Sequence, residues 1–287
     1  MNPIRDHWLR PALRLVIGCG LFGLAIVGHA QTVIVTPAAP EAFQPFTLTG
    51  IECMPRRSMN TDEHGVGIST EDRWIHVPMW PTDECSPAVN RVISIPGLPE
   101  GAYQIFNVPE IDLIPPVIEI GTVAIAPAPP TQVAFAFYHE GLKHYFITAS
   151  APEKDSLLNG GGGGGWLRVG GDFHVWPADG PAPAAAKPVC RFYSAAVNSH
   201  FYTAGPNECE LLKQPGSGWT YEGIAFHALV PTKGSCYPGT TPVWRLYNDR
   251  AAQSDSNHRF VASVDTYRHM IANGWIGEGV AFCSPES

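Results

Sequence analysis

The downstream half of this chain carries one pattern three times, and that repetition restricts the fold more than any single motif. Phe137-Tyr138, Phe192-Tyr193 and Leu246-Tyr247 can be laid over one another. His144, His200 and His258 follow, each two places before an aromatic residue: Phe146, Tyr202 and Phe260. A short segment of helical spacing comes next in each copy, around residues 153–158, 207–212 and 265–271. Each copy then closes on a Trp and, seven residues later, a Phe: Trp166 and Phe173, Trp219 and Phe226, Trp275 and Phe282. A unit of strand, strand, short helix and strand is too small to bury its own apolar face, so its copies must bury one another. The expectation is a pseudo-threefold β-rich module, β-trefoil-like or prism-like, with one short helix per repeat, over residues 131–287 (131–188, 189–242 and 243–287).

Upstream, short runs rich in β-branched and aromatic residues lie at 32–35, 46–51, 74–80, 92–95, 103–108 and 117–125, with Leu98-Pro99-Glu100-Gly101 as a tight turn. Many short strands in so short a segment is the pattern of a β-sandwich, expected over residues 31–126. Ala126-Pro127-Ala128-Pro129-Pro130 has no periodic apolar pattern and reads as a stiff linker at 127–130. The fold class is thus mainly β. With 29 glycines, 28 prolines and only 15 % charged residues, a long-helix protein is excluded, and 45 % hydrophobic residues exclude disorder of the whole chain. A net charge of −8 without Lys/Arg clusters gives no footprint for nucleic acid or an anionic membrane.

Arg5, Arg10 and Arg14 precede an apolar stretch at 15–28 that ends on Gly28-His29-Ala30. This reads as a signal peptide over residues 1–30, too short to span a bilayer, and implies a secreted or periplasmic protein with no membrane attachment after cleavage. Cys19 would leave with it. Cys53, Cys85, Cys190, Cys209, Cys236 and Cys283 remain, an even number that reads as disulfides in an exported chain. Two lie upstream and four downstream, which leaves three connectivities open.

The upstream segment resembles the immunoglobulin-like modules of secreted bacterial proteins, through residues 46–53, Cys85 and the Leu98-Pro99-Glu100-Gly101-Ala102-Tyr103 step into a late strand. That resemblance implies a Cys53–Cys85 disulfide and a structural or adhesive role. The downstream half resembles a secreted bacterial three-repeat family known only as a domain of unknown function. Its carriers are Val189-Cys190-Arg191-Phe192-Tyr193, His200-Phe201-Tyr202-Thr203, Glu208-Cys209, residues 219–226 and the matching residues 243–247 and 278–283. This second resemblance implies an accessory role and pairs Cys190 with Cys209 and Cys236 with Cys283. It supplies no catalytic residue.

Arg191 and Arg245 align with Ala136, and Glu222 and Glu278 with Val169. Loss of both charges in one copy predicts ion pairs Arg191–Glu222 and Arg245–Glu278, since losing one partner alone would strand the other. A binding or acid–base pair is the competing reading. For the histidines three readings stand: each fixes a turn in its own copy, the three converge on Zn²⁺, or each repeat holds a pocket. The pockets would be Tyr138, His144 and Trp166; Tyr193, His200 and Trp219; and Tyr247, His258 and Trp275, flat rings with polar tips suited to sugars. Core packing of the tryptophans is the alternative. Asp249, Asp255 and Asn257 lie in the long loop of the third repeat and could hold Ca²⁺, though without the Gly turn and bidentate Glu of a Ca²⁺ loop; His139 and His144 are one residue too far apart for a zinc-protease motif, and the glycines at 160–165 lack the Lys-Ser/Thr of a phosphate loop. No catalytic set or cofactor is expected. The leading expectation is a secreted non-catalytic protein binding extracellular or cell-wall glycan through the repeats. The alternatives are a hydrolase using Glu or Asp with His of the repeat domain, or a structural or protein-binding spacer.

Overall fold

Short β-branched runs interrupted by Gly and Pro fold into small antiparallel sheets. The structure, a computed structural model, describes residues 33–53, 66–77, 88–107 and 118–286. The expected signal segment, the Cys53–Cys85 pairing and part of the upstream loops lie outside the described residues.

Among the described residues, the upstream half has seven strands: β1 (Ile34–Thr36), β2 (Phe46–Cys53), β3 (Gly67–Ser69), β4 (Trp74–Val77), β5 (Ala88–Ile95), β6 (Gly101–Asn107) and β7 (Ile118–Ile125). They form two sheets, in orders β1-β2-β5 and β3-β4-β6-β7. Among the described strands β4 and β6 run parallel, and β1-β2, β2-β5, β3-β4 and β6-β7 are antiparallel. Alternation sends Phe46 and Leu48 of β2, Ile93 and Ile95 of β5, and Ile75, Tyr103 and Val123 of the other sheet into one core. The short strand β3, polar and Gly-containing, carries no apolar run and is invisible to a hydrophobicity reading.

Downstream, the unit of strand, strand, helix and strand occurs three times. The first is β8 (Gln132–His139), β9 (His144–Thr148), α1 (Ala151–Leu158), β10 (Trp166–Arg168) and β11 (Phe173–Val175). The second is β12 (Lys187–Ser194), β13 (Ser199–Thr203), α2 (Pro206–Leu212) and β14 (Thr220–Ala228). The third is β15 (Thr240–Tyr247), β16 (His258–Val261), α3 (Val264–Ala272) and β17 (Ile276–Pro285). In each, the first strand lies between the other strands of its sheet. Gly170 and Gly171, both at positive φ, split the returning strand of the first unit, where β14 and β17 run on. Ser150 and Ser263 cap α1 and α3 by accepting from the backbone N–H of Glu153 and Thr266.

Phe173, Phe226 and Phe282 explain the constant Trp-to-Phe spacing. All three are buried, and each ring touches the other two, with centroids 6.2, 6.2 and 5.7 Å apart. The segment between the halves is held on both sides: Trp176 donates its indole N–H to the Pro129 carbonyl, and Ala128 N–H bonds to Glu100. Trp176, Leu229 and Cys283 are buried within the same apolar cluster as Phe43 and Leu98 of the upstream half. Disulfides join Cys190 to Cys209, within the second unit, and Cys236 to Cys283. No described helix is long and apolar enough to cross a membrane.

Candidate functional site: the clefts between successive units

The side chains singled out in the sequence meet between units. Between the first and second, Tyr193 packs on His200 (5.0 Å), His200 stands edge-on to Phe146 (4.8 Å), and Phe146 leans on Trp166 (5.7 Å). Arg191 spans two carboxylates, with Nε 2.9 Å from Glu222 and Nη1 2.9 Å from Glu153. His200 Nε2 lies 3.3 Å from the same Glu222 oxygen. These groups line a cavity of about 390 Å³. One wall is the glycine loop, where Gly162 accepts the indole N–H of Trp166 and four successive glycines, Gly162 to Gly165, take positive φ.

Between the second and third units the arrangement recurs. Tyr247 stacks on His258 (4.9 Å), His258 stands edge-on to Phe201 (4.9 Å), and Phe201 leans on Trp219 (5.8 Å). Arg245 reaches Glu278 through Nε (2.7 Å) and Glu208 through Nη1 (3.3 Å), and His258 Nε2 is 3.4 Å from Glu278.

Local backbone chemistry aims these carboxylates. Arg191 pairs with Gly223 and Phe192 with Tyr221, so Glu222 is the extra residue of a bulge. Gly223 and Gly279, both at positive φ, follow Glu222 and Glu278. A bulge re-aims the side chain it carries, here toward the guanidinium on the neighbouring strand. Glu153 and Glu208 each stand three residues after a helix cap, in a first turn that favours negative charge.

Both expected ion pairs are therefore formed, and each guanidinium has a second carboxylate that sequence reasoning missed. The signal was present: Glu153 and Glu208 occupy the same helical position, and Thr266 takes it in α3. By this placement Ala136, Val169 and Thr266 all belong to the contact between the third and first units. What reads as two losses in one copy is a triple loss at one contact.

The histidines correct the alignment. Tyr193 pairs with His200 and Tyr247 with His258, but Tyr138 pairs with Tyr145, while His144 pairs with His139. His144 is the counterpart of Ser199 and Asn257. All three are buried and adjoin one another: Asn257 donates to Ser199 Oγ (3.0 Å), and His144 bonds to the Asn198 carbonyl (3.1 Å) and to Asp255 (2.5 Å). A further correction concerns the tryptophans. Trp166, not Trp219, joins Tyr193 and His200, and Trp219 adjoins the His258 cluster. Each Trp contributes to the cleft on the far side of its own unit. Asp255 and Asn257 are bonded to side chains and backbone of neighbouring units rather than to each other. Among the described residues no group of three or more His, Cys, Asp or Glu could hold a metal ion.

Burial, and secondarily the positive charge of Arg191, lowers the pKa of His200 to about 4. Burial and the charge of Arg245 lower that of His258 to about 3. Both imidazoles thus lie beside a carboxylate, at 3.3 and 3.4 Å, while burial and the neighbouring guanidinium favour their neutral form. His258 Nδ1 is buried without a hydrogen-bond partner.

Residues 128–285 match the family described as a domain of unknown function, DUF5648. The chain belongs to this family. The DUF5648 match takes in all three units and both disulfides described above. Neither a curated protein nor a solved structure matches the chain. The two disulfides fit an extracellular location, where oxidising conditions let such bonds persist.

Proposed function

We propose that this chain is a secreted, non-catalytic protein whose DUF5648 units form a pseudo-threefold repeat that binds extracellular or cell-wall glycan in the clefts between units. The upstream sheets then act as an immunoglobulin-like module that carries it. One observation supports the reading above the others: Tyr193 and Trp166 line the cavity between the first and second units together with Arg191, Glu153, Glu222 and His200. Aromatic faces stack on the C–H faces of sugar rings, while guanidinium, carboxylate and neutral imidazole bond to hydroxyls. A cavity of about 390 Å³ falls in the range of small-ligand sites. The same side-chain cluster recurs around Arg245; if it too took a sugar, weak single affinities would multiply into avidity on a polymer. Hydrolysis is disfavoured because both carboxylates of the cavity are held by one guanidinium, which leaves neither free to carry a proton to a leaving group.

The test is polysaccharide binding, by array and by cell-wall pull-down, with the wild type and Trp166→Ala. Loss of the aromatic platform should weaken binding roughly tenfold, the size of a single aromatic hot spot, with the unfolding transition retained. A folded wild-type protein that retains no polysaccharide would end this reading.

A further inference from the structure

The contact between the third and first units departs from the other two in its charges. At the first two contacts a guanidinium faces two carboxylates. At the third the carboxylate positions hold Val169 and Thr266, and the guanidinium position holds Ala136. Yet a guanidinium is present, contributed from the opposite side. Arg259 stands where Phe146 and Phe201 stand in the other units, with its charged group 4.2 Å from the centre of the Tyr145 ring. Its Nη1 reaches Tyr145 Oη (3.1 Å) and Met270 Sδ (2.9 Å), and among the described residues it forms no ion pair. A half-buried cation without a counter-charge is costly to keep, and the two equivalent contacts show the chain supplying that counter-charge elsewhere.

Tyr145, which Arg259 contacts, lines a cavity of about 400 Å³ together with Tyr138, Lys143, Arg250 and Trp275. The Tyr145 hydroxyl accepts from Arg259 and so keeps its own proton to donate. Lys143 sits exposed at the tip of the β8–β9 turn, with positive φ. The one carboxylate in the walls, Asp255, is already bound by Arg250 (2.5 Å) and His144 (2.5 Å). Donors and positive charge thus outnumber acceptors around an aromatic-walled space.

We infer that the contact between the third and first units is an anion site, which takes a carboxylate, sulfate or phosphate group carried by a saccharide. The saccharide part rests on the glycan reading above; the anion part does not. The bound anion accepts from Lys143 and from the Tyr145 hydroxyl, which Arg259 polarises from behind, while Trp275 packs against the ring. The protein then reads an acidic polymer with one cleft for charge and two for hydroxyls.

The test titrates the full chain, by calorimetry at low and moderate salt, with an oligogalacturonate, a sulfated oligosaccharide, a phosphorylated oligosaccharide and a neutral glucan oligosaccharide. Arg259→Met keeps the stem and removes the charge; Lys143→Ala changes an exposed side chain and leaves folding alone. Each should weaken binding of at least one acidic ligand roughly tenfold, with neutral ligand affinity unchanged. The acidic ligand that responds identifies the group. Acidic ligands that bind both variants as they bind the wild type would overturn the site. If no saccharide binds but free citrate or phosphate raises the melting temperature in an Arg259-dependent manner, the anion site stands and the glycan reading falls. If neutral glycan binds through Trp166 but no anion responds to either variant, the anion site alone falls. Arg259-dependent binding of poly-glutamate in place of any acidic saccharide overturns the saccharide assignment.

Discussion

Acidification should weaken this fold through His258, and the size of the effect follows from the structure. The ring is 11 % exposed, its Nε2–H faces Glu278, and its Nδ1 has no acceptor. Protonation would add a buried N–H with nothing to bond and place a positive charge near Arg245. Burial and that guanidinium hold the folded-state pKa at about 3, against 6.5 for the free side chain. Between those values the unfolded chain binds the extra proton and the folded one does not, so stability rises with pH and is lost as pH falls below 6.5 toward about 3. Going from about pH 7.5 to about pH 4.5 crosses roughly two units of that window, at about 1.4 kcal/mol per unit, for a loss of about 2.7 kcal/mol. His258→Gln keeps a side-chain N–H donor and removes the titration. Urea unfolding with the disulfides intact should show the wild type losing about 2–3 kcal/mol more than His258→Gln over that pH interval. The comparison cancels the carboxylates, which titrate in both proteins. Parallel pH dependences would refute the assignment of a buried neutral imidazole.

Two further outcomes test the packing. Phe43→Ala removes a ring that adjoins Trp176 (6.1 Å) and Tyr237 (6.2 Å), and should cost about 3–5 kcal/mol while leaving a single calorimetric transition, because one core serves both halves; two separate transitions would contradict that shared core. A double-mutant cycle of Arg245→Met and Glu278→Gln should give a coupling of about 1–3 kcal/mol in denaturant unfolding. No measurable coupling would mean that the pair is held by its surroundings rather than by mutual attraction.

Some of this was legible in the residues and some was not, for reasons that can be named. The Arg–Glu pairs could be read because charge pairs vanish together. The helices could be read because residues 153–158, 207–212 and 265–271 carry helical spacing. The histidine alignment misled because the first unit has His, Tyr and Phe in succession, and counting from the His selects the wrong member. Strand register admits no such slip, since one residue exchanges the two faces of a strand. Counting back from the helix cap instead, six residues to His144 but five to His200 and His258, would have placed Tyr145 correctly. The clefts themselves were hidden because their walls come from different units. Trp166 and Tyr193 share a cavity only once the units are arranged around Phe173, Phe226 and Phe282. Nothing in the spacing within one unit states which neighbour it faces.

The small buried centre also sets the order of the units. Equivalent positions hold His144, Ser199 and Asn257, and their bonds are complementary rather than alike: an amide to a hydroxyl, and an imidazole to a carbonyl and a carboxylate. A ring rebuilt from three identical units would bring three imidazoles, or three hydroxyls, or three amides into that space, and none of these sets reproduces the bonds. The second unit cannot stand in for the first, nor the third for the second. The three units share an order of elements, but these buried bonds give each one a fixed place, like words in a sentence that cannot change places.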